Sequence, residues 1–155
     1  MQAKYTGFIF SLFSVLLCLG QNSSSLSDLN FLIDAWHKDA TLANFDGYFD
    51  KTSKDFIFLG TAPGEKWTKE EFKVYCKPYF DKKQTWRFTP SQRTWHFSPN
   101  QKVAWFDESL ETWMLDCRGS GVCVKTKKGW KLSYYNLTVL IENEKIKPFI
   151  ELRKN

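Results

Sequence analysis

The stretch that most constrains the fold runs from residue 103 to residue 124, VAWFDESLETWMLDCRGSGVCV. Its two ends, 103–108 and 117–124, are rich in β-branched, aromatic and small residues and contain no proline. This pattern is typical of two antiparallel strands joined by a hairpin loop. Folding the stretch about Trp113 predicts that Asp107 lies opposite Arg118 and Trp105 opposite Ser120, so that these side chains share one face.

The neighbouring segments extend this hairpin into a four-stranded antiparallel sheet. A turn at residues 98–101 joins it to the preceding strand, and a turn at residues 125–129 joins it to the next. The predicted register places these residues on one face: Gln92, Thr94, His96, Trp105, Asp107, Arg118, Ser120, Tyr134 and Asn136, with Val103, Val122, Trp130 and Leu132 at one end. The other face carries small residues such as Gly119 and Gly121. A slip of one residue would exchange the two faces.

Two interpretations of the first face stay open. It is either a core with one satisfied ion pair, Asp107 with Arg118, or the lining of a pocket, because ligand sites are mostly apolar with a few placed polar groups. Arg118 is the strongest binding candidate, since a guanidinium suits a carboxylate or another anion. The other residues expected to line the pocket are Trp105, Asp107, Tyr134, Asn136, Trp67, Tyr79, Trp86 and Ser120.

The start of the chain has the pattern of a secretory signal. Residues 1–20 combine a basic start at Lys4 with an apolar run, 8–19, that is too short to span a membrane comfortably. We expect cleavage after Gly20 and an exported protein, periplasmic or extracellular; a lipid anchor at Cys18 is the alternative. Residues 21–25 form a polar leader, and residues 26–155 form a single domain.

Helices precede the sheet, so the predicted class is α+β. A long first helix is indicated by one apolar stripe at helical spacing: Leu26, Leu29, Leu32, Ile33, Trp36 and Ala40. A short helix over residues 41–49, a strand over 55–61 and a third helix from the cap residue Thr68 to Phe80 follow. Residues 85–97 predict a long strand, and residues 145–152 a C-terminal strand.

This order resembles the nuclear-transport-factor-2-like or SnoaL-like domain family. The matching segments are 35–37, 60–67, 103–105, 118–120 and 129–132, within residues 26–140. The resemblance implies a cystatin-like α+β cone, in which a curved antiparallel sheet wraps around the long N-terminal helix and encloses a conical cavity. It also implies a homodimer through the outer face of the sheet. The family contains isomerases, cyclases, dehydratases and modules without activity.

Three functions therefore remain open. The first is binding of a small, partly apolar ligand, with an anionic group as one option; the second is an isomerase, cyclase or dehydratase; the third is a structural dimerisation module. Proton transfer would need a base near the substrate, and Asp107 and His96 are the candidates. A neighbouring arginine would lower the pKa of Asp107 and make it a poor base. His37 is interpreted as a packing residue at the edge of the first helix.

Other chemistries find little support. The two histidines are far apart and no Cys-x-x-Cys pair occurs, so neither a metal site nor a cofactor is predicted. The net charge is +5, but the lysines are scattered among acids, which argues against nucleic-acid binding. Cys76, Cys117 and Cys123 would remain after cleavage, with their disulfide state open.

Overall fold

The computed structural model describes residues 25–154. The predicted signal, residues 1–20, and the first residues of the polar leader lie outside the described residues. The helices and strands follow in this order: α1 over 25–41, α2 Phe45–Asp50, β1 Thr52–Leu59, β2 Lys66–Thr68, α3 Lys69–Asp81, β3 Thr89–Phe97, β4 Val103–Thr112, β5 Leu115–Thr126, β6 Gly129–Val139, a 3₁₀ turn Asn143–Lys145 and α4 Ile146–Leu152.

The six strands form one curved mixed sheet in the order β2-β1-β6-β5-β4-β3. Strands β3 to β6 form the predicted antiparallel meander, whereas β1 lies parallel to β6. The inner face of the sheet packs against the apolar stripe of α1, in which Leu29, Ile33, Trp36 and Ala40 are buried. The predicted α+β class, with a curved sheet around the first helix, is confirmed.

Local sequence explains where α3 begins. The side chain of Thr68 accepts a hydrogen bond from the backbone of Glu71, and the Glu71 carboxylate accepts one from the backbone of Thr68. This capping box satisfies two amide groups that the first helical turn leaves without partners. The predicted cap at Thr68 is therefore confirmed.

The C-terminal segment differs from its prediction. Residues 145–152 were expected to form a strand, but they form the end of the 3₁₀ turn and α4. Ile146, Phe149 and Ile150 recur at the three- and four-residue spacing of a helix. A helix of 7 residues makes only about two turns, which is too short for its periodicity to be distinguished from that of a strand, and the prediction was wrong for that reason.

The predicted strand pairs are correct, but the register and the faces are not. Asp107 lies opposite Ser120, and Arg118 lies opposite Ser109, so the β4–β5 register is shifted by two residues. Such a shift keeps each residue on its face. Thr112 pairs with Leu115, so the turn that joins β4 to β5 is shorter than the predicted connector.

A bulge in β6 places Leu132 and Tyr134, which were predicted to share a face, on opposite faces of the sheet. Leu132 pairs with Cys123 and Tyr134 with Val122, which leaves Ser133 as an extra residue. The bulge allows Leu132 and Tyr135 to be buried on the same side, while Tyr134 turns outward. The predicted register grouped Tyr134 with Trp105, Asp107 and Arg118, and their shared face was interpreted as the interior. These four side chains lie on the outer face instead, because the inward positions of β4 are Ala104, Phe106, Glu108 and Leu110.

Candidate functional site

The buried polar centre of the molecule is the inner polar cluster, which we define as His37, Arg93, Glu108 and Tyr135. These residues come from α1, β3, β4 and β6, and meet where the inner face of the sheet contacts α1. Glu108 is 0% exposed and His37 5% exposed. In β4 the alternating neighbours of Glu108 are Ala104, Phe106 and Leu110, which are all buried, so the strand pattern carries the carboxylate into the interior.

Both carboxylate oxygens of Glu108 are occupied. Oε1 lies 2.8 Å from His37 Nε2 and accepts a hydrogen bond of 2.9 Å from the Tyr135 hydroxyl. Oε2 accepts a hydrogen bond of 2.8 Å from Arg93 Nε and lies 2.7 Å from Nη2. A buried carboxylate is tolerated when charged donors satisfy its oxygens in this way.

These contacts keep Glu108 ionised. Burial alone would raise its pKa, but the hydrogen bonds from His37 and Arg93 and the positive charge of Arg93 hold the pKa of Glu108 below its ordinary value. Burial and the neighbouring Glu108 raise the pKa of Tyr135 well above its ordinary value, so its hydroxyl remains a donor. An ionised carboxylate can only accept, and His37 therefore carries its proton on Nε2.

A bulge in β3 allows Arg93 to reach Glu108. Ser91 pairs with Ser109 and Thr94 with Asp107, so Gln92 and Arg93 together oppose the single Glu108. Gln92 takes a positive φ of 49° at this point. Bulges of this kind redirect side chains.

Arg93 and Trp95 also tie the edge strand β3 to the first helix. Arg93 Nη2 lies 2.8 Å from the carboxylate of Asp34. The side-chain oxygen of Asn30 accepts hydrogen bonds from Arg93 Nη1, at 3.2 Å, and from Trp95 Nε1, at 2.9 Å. The cluster thus has a structural role as well as any chemical one.

Gly119 makes room for the cluster. A Cβ added to this residue would lie 2.1 Å from the Tyr135 hydroxyl and 3.0 Å from Glu108 Oε1. A side chain at this position would therefore collide with the group that donates to Glu108. The groups that approach Gly119 belong to the same sheet.

His37 is the member of the cluster with a free basic atom. Its Nε2 faces Glu108, and within residues 25–154 its Nδ1 makes no hydrogen bond. The surroundings of the imidazole are aromatic, with ring centroids of Trp36, Tyr135 and Phe88 at 5.1, 6.0 and 6.3 Å. A histidine held by a carboxylate on one nitrogen can accept a proton or a hydrogen bond on the other.

The residues predicted to line a pocket do not meet in the interior. Asp107, Trp105, His96 and Arg118 are exposed on the outer face of the sheet, where Trp105 stacks on His96 with centroids 5.7 Å apart. Ser120, Tyr134 and Asn136 are half-buried on that same outer face. The prediction that these side chains point inward beneath the first helix was wrong, because β4 directs Ala104, Phe106, Glu108 and Leu110 inward and the residues that alternate with them outward. Asp107 and Arg118 do not pair directly either.

The remaining aromatic candidates are divided between core and surface. Trp67 stacks on Phe72 at 5.6 Å, and Trp86 packs edge-on against Phe80 at 5.7 Å, so both support the core. Tyr79 lies exposed on α3. Within residues 25–154, none of these three side chains contacts the inner polar cluster.

Sequence reasoning missed Glu108, Arg93 and Tyr135 as site residues, and interpreted His37 as packing. One signal was available. Ala104, Phe106 and Leu110 form an apolar alternation in which Glu108 is the only charged position. A charge in a buried register requires a partner, and that requirement would have directed the search to Arg93 and to the histidine of the first helix.

An open cleft of about 620 Å³ lies elsewhere, between α2 and α3. Phe45 and Phe49 line it together with Lys69 and Lys73. Lys69 donates to the carbonyl oxygens of Phe49 and Thr52, and Lys73 donates to Glu70, so both ammonium groups are already engaged. The two lysines of the cleft therefore offer no free ammonium group to a ligand.

The cysteines of the described part of the chain are poor candidates for a reactive thiol. Cys76, Cys117 and Cys123 are free thiols in buried positions. Burial raises the pKa of Cys76 and of Cys123, which makes thiolate chemistry unfavourable.

Across residues 25–154 no group of three histidine, cysteine or acidic side chains could hold a metal ion. In the same residues, no helix is long and apolar enough to cross a membrane.

Comparison with known proteins agrees with the fold. A sequence profile of the SnoaL-like domain matches residues 29–142. No curated protein shows significant sequence similarity to the chain.

Solved structures with the same fold come from several bacteria. A proposed dehydratase of the nuclear-transport-factor-2-like family from Streptomyces avermitilis has a TM-score of 0.68 at 8% identity, covering 78% of this chain and 99% of that one. A protein with a cystatin-like fold from Caulobacter vibrioides has a TM-score of 0.65 at 10% identity, covering 84% and 99%. A nuclear-transport-factor-2-like protein of unknown function from Pseudomonas putida KT2440 has a TM-score of 0.64 at 11% identity, covering 79% and 91%. At these identities the likeness concerns the fold alone.

Proposed function

Because the chain belongs to the SnoaL-like domain family, we propose that it is an exported domain that binds a small, largely apolar molecule between α1 and the curved sheet, next to His37. One observation carries the proposal. Glu108 holds Nε2 of His37 at 2.8 Å, which leaves Nδ1 as a basic atom among aromatic rings. Export depends on the signal pattern of residues 1–20, with a lipid anchor at Cys18 as the alternative.

The position of the charges changes the expected ligand. Arg118 had suggested an anionic group, but it lies on the outer face. The arginine of the interior, Arg93, is paired with Glu108 and with Asp34. Since its charge is already balanced, it supplies no attraction for an anion. We therefore favour an uncharged ligand with a hydroxyl group or another donor for Nδ1 and an apolar body for the aromatic surroundings.

The arrangement also favours a second candidate, an enzyme of the dehydratase or isomerase kind. In such a reaction His37 Nδ1 would take a proton from the ligand, and Glu108 would stay ionised and stabilise the imidazolium that forms. This replaces Asp107 and His96 as candidate bases. The lowered pKa of Glu108 supports the assignment of roles, since it keeps Glu108 as an acceptor that orients the ring.

The outer face of the sheet supports the proposal of a homodimer. Its centre carries the exposed Trp105 stacked on His96, flanked by Asp107 and by Tyr134. An exposed surface with an aromatic side chain at its centre suits the interface between two copies. Neither ligand binding nor catalysis at His37 depends on this homodimer.

Native mass spectrometry of protein purified from its own host tests the binding proposal. The wild-type protein is expected to retain a small molecule, and the His37→Gln variant to lose it. His96→Gln is the matched control, because the chain contains two histidines and His96 lies on the outer face. The spectrum also counts the chains in each complex. Retention of the same molecule by His37→Gln would remove His37 from the site.

Catalysis requires a separate measurement. The retained molecule, once its mass identifies it, is incubated with fresh enzyme and searched for an isomer or for a product lighter by one water. Turnover that falls at least a hundredfold in His37→Gln but not in His96→Gln is expected. Binding without turnover would leave the first function and exclude the second.

A further inference from the structure

The turn between β4 and β5 presents two large apolar side chains to solvent. Trp113 is 80% exposed and Leu115 is 79% exposed, whereas Met114 between them packs against the core. We call residues Trp113–Leu115 the hairpin tip. Isolated exposed apolar residues are common, but here two of them flank a single tight turn.

Leu115 occupies a backbone conformation that disfavours its own side chain. Its φ angle is 68°, in the left-handed region where glycine is preferred. Glycine at this position would form the turn with less strain and would expose less apolar surface. Leucine is therefore the poorer residue for the turn and for solubility, which points to a contact made by the side chain.

A second apolar surface lies on α4. Ile146, Phe149 and Ile150 lie on one side of the helix, and their side chains are 37%, 37% and 47% exposed. The amide of Leu140 donates a hydrogen bond of 3.0 Å to the carbonyl oxygen of Asp116, at the base of the hairpin tip. The chain between Leu140 and Ile146 spans at most roughly 20 Å, so α4 begins at the same end of the sheet as the tip.

The two surfaces carry opposite charges. Glu111 and Asp116 flank the tip, and neither makes a salt bridge with another of the residues 25–154. In the same part of the chain, Lys147 and Arg153 of the α4 region have no carboxylate within salt-bridge distance. The remaining charges around α4 are two local ion pairs and one more acid: Glu142–Lys145, Glu151–Lys154 and Glu144.

We propose that the hairpin tip of one copy docks on the apolar side of α4 of a second copy, with Glu111 and Asp116 facing Lys147 and Arg153. Because both surfaces lie at one end of the sheet, a two-fold rotation lets each copy supply one tip and one helix, and the contact closes. This contact is separate from the outer-face homodimer and does not depend on the bound ligand.

A lipid surface fits the tip less well than a second copy. Segments that enter anionic membranes carry lysine or arginine beside their apolar residues. Glu111 and Asp116 would instead be repelled by such a membrane. Their charge complements α4, and this is the reason for choosing a second copy as the partner.

Charge reversal tests the proposal in the exported form of the protein. One variant carries Glu111→Lys and Asp116→Lys, and the other carries Lys147→Glu and Arg153→Glu. All samples also carry Trp105→Ser, so that an outer-face contact does not obscure the result. Sedimentation equilibrium is expected to show at least tenfold weaker self-association for each variant alone, and a heterodimer when the two are mixed. Lys127→Glu with Lys128→Glu, in the turn between β5 and β6, is the matched control and is expected to associate like the parent.

Each result decides the question. Variants that associate like the parent, or that stay monomeric after mixing, overturn the proposal. Binding of the parent to anionic vesicles together with a monomeric parent would favour the lipid surface and also overturn it. In addition, Leu115→Gly is expected to weaken association without lowering the melting temperature, whereas a side chain needed only for folding would lower it.

Discussion

The two faces of the sheet use the same kinds of residue in opposite ways. Asp107 and Glu108 are neighbours in β4, yet Asp107 is exposed on the outer face whereas Glu108 is buried with donors on both oxygens. Tyr134 and Tyr135 differ in the same manner in β6. A polar side chain on the outer face keeps its water, while one on the inner face must find protein partners or lose free energy.

This difference identifies the side chains on which the stability of the fold depends most. Truncating an inner side chain leaves its buried partners without a hydrogen bond, whereas truncating an outer side chain lets water replace it. Neighbouring residues in one strand therefore form natural pairs of test and control. Three such pairs and the pH dependence of Glu108 lead to specific predictions.

The largest effect is expected for Glu108→Ala. The substitution leaves the charge of Arg93 buried without its main partner, and the free energy of unfolding should fall by about 3–5 kcal/mol. Asp107→Ala is the control, and should change it by no more than about 0.5 kcal/mol. Urea denaturation followed by tryptophan fluorescence measures both. Equal effects of the two substitutions would mean that the inner cluster does not hold the fold together.

Tyr135→Phe should have the second largest effect. It removes the hydroxyl that donates to Glu108 Oε1, and a hydrogen bond to a charged group contributes about 1.5–3 kcal/mol. The matched control is Tyr134→Phe on the outer face, for which we expect little change. Thermal unfolding of the two variants provides the comparison, and a larger loss for Tyr134→Phe would contradict the assigned faces.

Gly119→Ala should cost about 1–3 kcal/mol through overpacking. The added carbon would lie 2.1 Å from the Tyr135 hydroxyl, so either the tyrosine or the strand must move. Ser120→Ala, one residue further on the outer face, should be nearly neutral. Unfolding midpoints in urea measure the difference, and a neutral Gly119→Ala would show that Tyr135 has room to move.

The smallest effect concerns pH. The pKa of Glu108 is lower in the folded protein than its ordinary value of 4.5, so the unfolded chain binds a proton first as the pH falls. The stabilisation is therefore complete well above pH 4.5 and is lost as the pH falls through the folded-state pKa. Acid unfolding should be less steep for Glu108→Gln than for the wild type. A wild-type curve of identical steepness would contradict the lowered pKa.

The architecture was largely accessible to sequence reasoning, but the site was not. The helical stripe that contains Leu29, Ile33 and Trp36 and the capping residue Thr68 are local patterns, and both were identified correctly. The inner cluster joins residues as distant in sequence as His37 and Glu108. No local pattern contains both of them, so their pairing could not be obtained from periodicity.

By itself, the sequence determined the α+β class, the antiparallel meander, the cap of α3 and the apolar stripe of α1. Each of these depends on the spacing of residues within one segment. Tertiary structure alone decided where bulges interrupt the strands of the sheet. An extra residue at Ser133 reverses the alternation of β6, and a bulge at Gln92 and Arg93 brings the guanidinium to Glu108. A strand has a side-chain period of two, so one inserted residue exchanges inside and outside, and only the packing of the whole sheet against α1 determines where that residue is accommodated.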